Sequence, residues 1–250
     1  MSRAALSKVP AVTLGFWAIK VLATTLGETA GDTLSMSLNL GYLLSTGIFL
    51  SLLAILVLWQ ITADRLRPAL YWATIIASTT AGTTLADFAT RSLGVGYLGG
   101  VLILATCVVG SLVAWHRKLG KISASDIHAP ATERFYWLTI TLSQTLGTAL
   151  GDWTADTGGL GYLGAAAGFA GLLAIVAGLY FQTRINRVGL VWTAFVLTRP
   201  LGAAVGDWLD KPLIQGGLAL SRPAASAVLA LAIIILILVL PQNPEPQERV

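Results

Sequence analysis

Charged residues are scarce in this sequence, and their scarcity excludes an ordinary soluble protein. Only 11% of the 250 residues are Asp, Glu, Lys or Arg, whereas 55% are hydrophobic. Several apolar runs approach the roughly 20 residues that a helix needs to span a bilayer. The clearest runs are 43–59, 101–115, 163–180 and 224–240. The composition therefore predicts a membrane protein whose main partner is the lipid bilayer, with no large aqueous domain.

Cysteine and histidine are nearly absent, which narrows the possible chemistry. Cys107 is the single cysteine, so no intramolecular disulfide can form. His116 and His128 are the two histidines, and both lie in or beside the longest polar stretch, outside the apolar runs. The sequence contains no ATP-binding motif and no arrangement typical of a serine or metal hydrolase. We therefore expect a protein that is not an enzyme and that has no organic cofactor.

One pattern, W-x9-G-x4-D-x8-G-[YG]-L, occurs four times along the chain. Its tryptophans are Trp17, Trp72, Trp137 and Trp192, its first glycines are Gly27, Gly82, Gly147 and Gly202, and its aspartates are Asp32, Asp87, Asp152 and Asp207. Successive tryptophans are 55, 65 and 55 residues apart. Four copies in one register indicate internal duplication, and the equal outer spacings indicate that a two-unit block was itself duplicated.

Each unit has room for two helices long enough to cross a membrane. The predicted helices are 11–35, 41–62, 69–90, 95–115, 135–156, 160–182, 188–209 and 222–240. The sequence thus predicts an all-α, polytopic membrane protein with eight transmembrane helices from four parallel two-helix repeats. Its predicted parts are a first half (1–115), a cytoplasmic linker (116–134), a second half (135–240) and a cytoplasmic tail (241–250).

The distribution of basic residues predicts the orientation. Eleven of the 16 fall on the side that holds both termini and the linkers between units: Arg3, Lys8, Arg65, Arg67, Arg117, Lys118, Lys121, Arg134, Arg184, Arg187 and Arg249. The positive-inside rule then makes both termini cytoplasmic. Because these residues lie at helix ends and form no stripe with aromatic residues, nucleic-acid binding is not expected. We expect the repeated tryptophans to anchor the cytoplasmic interface, and Tyr42, Tyr97 and Tyr162 the opposite one.

Five acidic residues are predicted to form one layer inside the membrane. Equivalent positions of parallel repeats lie at equal depth, so the four repeated aspartates should meet, and Glu28 precedes Asp32 by four residues on the same helix face. Carboxylates at such depth normally face a bundle interior or a wet cavity. Lys20 and Arg199 also lie within predicted helices and would balance the charge or gate the cytoplasmic side. Five acids and two bases leave a formal charge of −3, which suits a bound cation. Asp156, Asp210 and Lys211 are expected either to be solvated helix ends or to line an outer mouth.

Oxygen atoms dominate the ligands that these helices offer. Thr24, Thr25, Gln144 and Thr148 accompany the acids as supporting polar groups. Oxygen-only coordination favours Mg²⁺, Mn²⁺, Ca²⁺ or an alkali ion over Zn²⁺ or Cu⁺. The predicted metal ligands are Glu28, Asp32, Asp87, Asp152 and Asp207. A bound divalent cation is accordingly the expected non-protein component.

Several stretches resemble a family of bacterial integral membrane proteins described as uncharacterised membrane-anchored proteins. They are K-V-P-A-V-T-L-G-F-W-A-I-K and G-E-T-A-G-D in the first unit, F-Y-W and L-G-T-A-L-G-D-W-T-A in the third, and L-T-R-P-L-G-A in the fourth. The resemblance covers nearly the whole chain and implies a bacterial inner-membrane location. It implies no activity.

Glu28, Gly31, Asp32 and Thr33 also resemble the E-x-G-D-[KR]-[TS] motif of manganese and calcium exporters of the Golgi and of bacteria. In that family the Glu and the Asp of the motif bind the ion. Here the two acids are one residue further apart, the motif's Lys or Arg is missing, and the repeats are parallel, whereas those exporters have inverted repeats. The likeness implies shared cation chemistry.

The sequence as a whole predicts a transporter or channel for a small inorganic cation, with Mn²⁺ or Mg²⁺ favoured. Two alternatives stay open. The protein could be a membrane-embedded binding or assembly protein whose acids and bases tie helices together. It could also transport a small organic substrate that Arg199 anchors. A homo-oligomer is compatible with each of these functions.

Overall fold

The computed structural model describes residues 7–122, 127, 129–183 and 185–244. These residues form eight α-helices and no β-strand, which confirms the all-α prediction. The helices are α1 (Leu14–Asp32), α2 (Gly41–Thr62), α3 (Pro68–Asp87), α4 (Gly96–Leu119), α5 (Pro130–Asp152), α6 (Gly161–Gln182), α7 (Arg187–Asp210) and α8 (Arg222–Val239). Arg3, Arg184, Arg249, His128, part of the predicted linker and most of the predicted tail lie outside the described residues.

A π-helical turn directly follows the repeated aspartate in three units. The turns are Thr33–Ser37, Phe88–Ser92 and Trp153–Thr157. Each is closed by a backbone hydrogen bond that spans five residues, such as the one from the Leu38 N–H to the Thr33 carbonyl at 2.9 Å. The glycine of G-Y-L then begins the next helix with a positive φ, 73° at Gly41 and 70° at Gly96. This left-handed conformation favours glycine, which explains why this position is a glycine in all four units.

The eight helices form two concentric rings. α1, α3, α5 and α7 contact one another in cyclic order and make the inner ring. Each outer helix packs against the inner helix of the following unit, so that α2 contacts α3, α4 contacts α5, α6 contacts α7, and α8 returns to α1. The four units therefore close into one bundle around a common axis.

The repeated glycine brings neighbouring inner helices close together. In each unit this glycine faces a residue of the next unit. That residue lies three positions before the next unit's own repeated glycine. The four pairs are Gly27 with Thr79, Gly82 with Gln144, Gly147 with Arg199, and Gly202 with Thr24. A Cβ added at Gly82 would lie 3.0 Å from the backbone nitrogen of Thr145. The same register thus recurs at every interface of the inner ring, as small-residue helix packing requires.

The outer surface is apolar, as expected for a membrane protein. The outer helices expose large aliphatic side chains, including Leu43, Ile55, Leu102 and Leu238. Within the described residues, five helices are long and apolar enough to cross a membrane, namely α2, α4, α6, α7 and α8. α1, α3 and α5 are more polar, and the outer ring shields much of their surface from the surroundings.

The first and last described segments, 7–13 and 240–244, cover one end of the axis, called here the terminal end. The N–H of Ala11 donates to the carbonyl of Asn243 at 2.8 Å, and Lys8 forms an ion pair with Glu133 at 2.6 Å. Trp72 and Trp137 are buried beneath this cover, and the Trp72 indole N–H donates to Gln242. The interpretation of these two tryptophans as interfacial anchors is therefore wrong.

Candidate functional site

Side chains four residues apart on the inner helices form successive layers around the axis. One layer contains Thr24, Thr79, Gln144 and Arg199, and the next contains Glu28, Thr83, Thr148 and Ala203. The repeated aspartates form the third layer. The fourth, at the end of the bundle opposite the termini, contains Met36, Arg91, Asp156 and Lys211. The parallel repeats thus create a polar column, as the sequence predicts.

Six carboxylates lie together in this column, and all six are buried. Glu28, Asp32 and Asp87 can place one oxygen each within 4.8 Å of one another. Two further triads satisfy the same criterion, Glu28 with Asp152 and Asp207, and Asp32 with Asp207 and Asp210. All five predicted ligands are therefore brought together. The expectation that Asp210 is a solvated helix end is wrong, since its side chain joins the group.

Two bases bridge the four repeated aspartates in pairs. Arg91 contacts Asp87 at 2.9 Å and Asp152 at 3.2 Å. Lys211 contacts Asp207 at 2.8 Å and Asp32 at 2.9 Å. Each base follows the aspartate of its own unit by four residues, so it lies on the same helix face and reaches the aspartate of the next unit. The first and third units have Met36 and Asp156 at this position. The sequence suggested for Lys211 a solvated helix end or a place at an outer mouth, and its pairing with the aspartates was missed.

Arg199 connects all four inner helices. Its guanidinium donates to Glu28 Oε2 at 3.1 Å and to the hydroxyls of Thr83 and Thr148. It also donates to the backbone carbonyls of Thr24 at 2.9 Å and Gln144 at 3.2 Å. The side chain is completely buried. Arg199 therefore closes the floor of the carboxylate group, and its acidic partner is Glu28 of the first unit.

Lys20 does not reach the carboxylates. Its Nζ lies 3.8 Å from the centroid of the Phe195 ring and has no hydrogen-bond partner within the described residues. Ile75 and Ile140 occupy the equivalent positions of the second and third units, and both are fully buried. Between Arg199 and the terminal end the axis is therefore packed and mainly apolar.

The predicted supporting groups differ in their contacts. The Thr148 hydroxyl donates to the carbonyl of Gln144 and accepts from Arg199, and Thr24 and Gln144 accept from Arg199 through their carbonyls. The Gln144 amide nitrogen has no partner in the described part of the chain. Thr25 donates to the carbonyl of Val21 in its own helix. Three of the four groups thus position Arg199, and through it Glu28.

A cavity of about 580 Å³, called here the vestibule, lies at the end of the column where Asp156 and Gln215 are exposed. It is lined by Met36, Arg91, Ala155, Asp156, Gly161, Tyr162, Lys211, Pro212, Gln215 and Arg222. Tyr162 faces the vestibule, and Tyr97 donates to Asp156 at 3.0 Å, so these tyrosines surround the mouth and are not merely a lipid-facing belt. Arg91 and Lys211 belong to both the vestibule and the carboxylate group. The carboxylates are therefore approached from this end.

The carboxylate group has more acids than bases. Arg91, Arg199, Lys211 and Arg222 pair with the six carboxylates, which leaves a formal charge of −2 if all are ionised. One oxygen each of Asp32, Asp152 and Asp210 accepts no hydrogen bond from any described residue. Buried oxygens without donors are costly, and they fit the oxygen coordination of a hard cation.

Comparison with family models gives four matches to one repeat, at residues 15–65, 70–120, 135–186 and 191–240. Its description is Repeat of Unknown Function (DUF347). The four matched ranges coincide with the four units found in the sequence. Searches of curated proteins and of solved structures give no match.

Proposed function

Because the chain belongs to this family of repeats of unknown function, whose description names no activity, we propose its function from the site itself. The protein is a membrane transporter for a small inorganic cation, with Mn²⁺ or Mg²⁺ favoured. The carboxylate group binds the ion or exchanges it for protons.

The proposed arrangement in the membrane has all eight helices crossing it. α1, α3 and α5 are polar, but the outer ring separates much of their surface from lipid, so a low hydropathy does not prevent them from crossing. The excess of Lys and Arg at the terminal end favours a cytoplasmic location for both termini. The vestibule then opens outward. The resemblance to bacterial membrane-anchored proteins favours the bacterial inner membrane.

The observation that carries the proposal is the three buried carboxylate triads beside the vestibule. Carboxylates are hard ligands, and with nearby carbonyl, hydroxyl and water oxygens they suit Mg²⁺, Mn²⁺ or Ca²⁺. A formal charge of −2 is neutralised by one divalent cation or by two protons. Exchange of the cation for two protons would couple cation transport in one direction to proton movement in the other, without an ATP-binding domain.

A carrier is favoured over an open channel. Arg199 lies across the axis directly below Glu28, and buried apolar side chains continue from there to the terminal end. An ion that enters the vestibule therefore meets a closed floor. Alternating access requires a structure of this kind, with the site open to one side at a time.

A second candidate is an assembly protein, in which the acids and bases only hold helices together. The pairing of Arg91 and Lys211 with two aspartates each favours this function, because such bridges fix neighbouring units. Substrate anchoring by Arg199 has no comparable support, since six groups of the protein, Glu28 among them, already engage its guanidinium.

Thermal stability in detergent distinguishes the two candidates. We expect one ion among Mn²⁺, Mg²⁺, Ca²⁺, Na⁺ and K⁺ to raise the melting temperature of the wild type selectively, because a ligand that binds only the folded state stabilises it. Asp152→Asn should fold and lose this response, whereas Asp64→Asn, an exposed aspartate outside the site, should keep it. The absence of any ion effect, together with Asp152→Asn protein that does not fold, would favour the assembly protein.

A further inference from the structure

The fourth unit departs from the other three where its inner helix ends. No π-helical turn follows α7, and the chain continues through Lys211 and Pro212 into a short 3₁₀ turn, Leu213–Gln215. The segment then folds back, with the N–H of Leu218 donating to the carbonyl of Trp208 at 2.7 Å. Lys211 is fixed by its backbone at the edge of the vestibule, and its side chain reaches into the carboxylate group.

The Lys211 ammonium occupies a place that a metal ion could take. Nζ lies 2.8 Å from Asp207 and 2.9 Å from Asp32, and these two residues form one of the carboxylate triads with Asp210. The residue is 6% exposed and lines the vestibule, so a neighbouring cavity is available to the side chain. The amino group is a compact charge on a flexible stem, unlike the planar guanidinium of Arg91. Of the two bridging bases, Lys211 is thus the one suited to move.

We propose that Lys211 is a built-in counter-cation, which neutralises this triad in the empty protein and moves into the vestibule when the transported divalent cation binds. The inference rests on the proposed function. With Lys211 displaced, Asp32, Asp207 and Asp210 carry a formal charge of −3 and Arg222 contributes +1. A divalent cation balances the remaining charge of −2.

The exchange between the Lys211 ammonium and the divalent cation determines how tightly the cation binds and how readily it is released. Buried carboxylates without a counter-charge are strongly unfavourable, so an empty site that lacked Lys211 would hold its ion or protons tightly. A tethered ammonium lowers the affinity by competing for the same oxygens. It also allows the protein to exist without cargo, which a carrier needs between its inward and outward steps.

The test removes the positive charge of Lys211 by substitution and then restores it chemically. In a Cys107→Ser background, Lys211→Cys should bind Mn²⁺ about tenfold more tightly or better than the wild type, because a positive charge beside the ion is removed. Aminoethyl methanethiosulfonate rebuilds a lysine-like ammonium on the new cysteine and should return the affinity to the wild-type level. Methyl methanethiosulfonate, which adds no charge, should not. Lys118→Cys, an exposed lysine at the other end of the bundle, is the matched control.

A measurement on the wild type avoids any folding defect of the variant. Saturating Mn²⁺ should raise the rate at which an amine-acetylating reagent modifies Lys211, measured by peptide mass spectrometry, and should leave Lys118 unchanged. The displacement is overturned if Lys211→Cys binds Mn²⁺ no more tightly than the wild type and the acetylation rate does not change. The proposed function still stands in that case, provided that Mn²⁺ binding depends on Asp152. Binding of none of Mn²⁺, Mg²⁺, Ca²⁺, Na⁺ and K⁺ to either protein overturns both proposals.

Discussion

Arg199→Met is expected to lose about 3–5 kcal/mol of the free energy of unfolding, as is typical when one partner of a buried ion pair is removed. The substitution leaves the Glu28 carboxylate buried without its base. It also leaves hydrogen-bond acceptors on α1, α3 and α5 without the donor that Arg199 provides. Chemical or thermal unfolding in detergent, followed by circular dichroism, measures the effect.

Two further variants separate this explanation from a general sensitivity to substitution. Adding Glu28→Gln to Arg199→Met should recover part of the lost stability, because the second change removes the uncompensated charge. Arg65→Met, at an exposed arginine near the terminal end, should unfold like the wild type. Near-normal stability of Arg199→Met would show that the inner ring does not depend on this residue.

Gly202→Leu is expected to disrupt the closure of the ring between the fourth and first units. An added Cβ at Gly202 would lie 2.8 Å from the backbone carbonyl carbon of Thr24, so α1 and α7 would have to separate. Overpacking of this kind costs about 1–3 kcal/mol where side chains can adjust, and a backbone contact adjusts less readily. The melting temperature and the monodisperse fraction in size-exclusion chromatography should both fall.

Gly168→Leu is the matched control for this substitution. Gly168 lies on the exposed surface of α6, and nothing lies within 4 Å of a Cβ added there. Leucine at this exposed position should leave the protein stable. If the two variants behave alike, the repeated glycine is not a packing requirement.

Periodicity made the repeats and the carboxylate layer predictable, and repeat symmetry favours an arrangement of the four inner helices around one path. The packing of each outer helix was not predictable. Four copies of one pattern fix the number of helices and the equal depth of the aspartates without knowledge of any contact. The transfer of each outer helix to the next unit depends on packing between distant segments, which no local pattern encodes. The same holds for Trp72, which is buried beneath the described segments 7–13 and 240–244.

The basic residues show where the sequence was informative but was misinterpreted. Lys20 and Arg199 each precede an acid by eight residues, which corresponds to about 12 Å along a helix. Lys20 accordingly lies two layers from Glu28, beside Phe195, and the layer of Arg199 separates it from the carboxylates. Arg91 and Lys211 instead follow repeated aspartates by four residues, a spacing that favours a side-chain pair on a helix.

Flux through the purified protein in liposomes tests the central claim, that the buried carboxylate group binds the transported ion. We expect wild-type protein to carry Mn²⁺ or Mg²⁺ across the vesicle membrane. Folded Asp152→Asn should carry the ion at least about tenfold more slowly, because the substitution removes one of the binding carboxylates. One oxygen of the Asp152 carboxylate accepts no hydrogen bond from any described residue. Asp64→Asn should match the wild type. Undiminished flux in Asp152→Asn, or no cation flux above that of protein-free vesicles, would contradict the account.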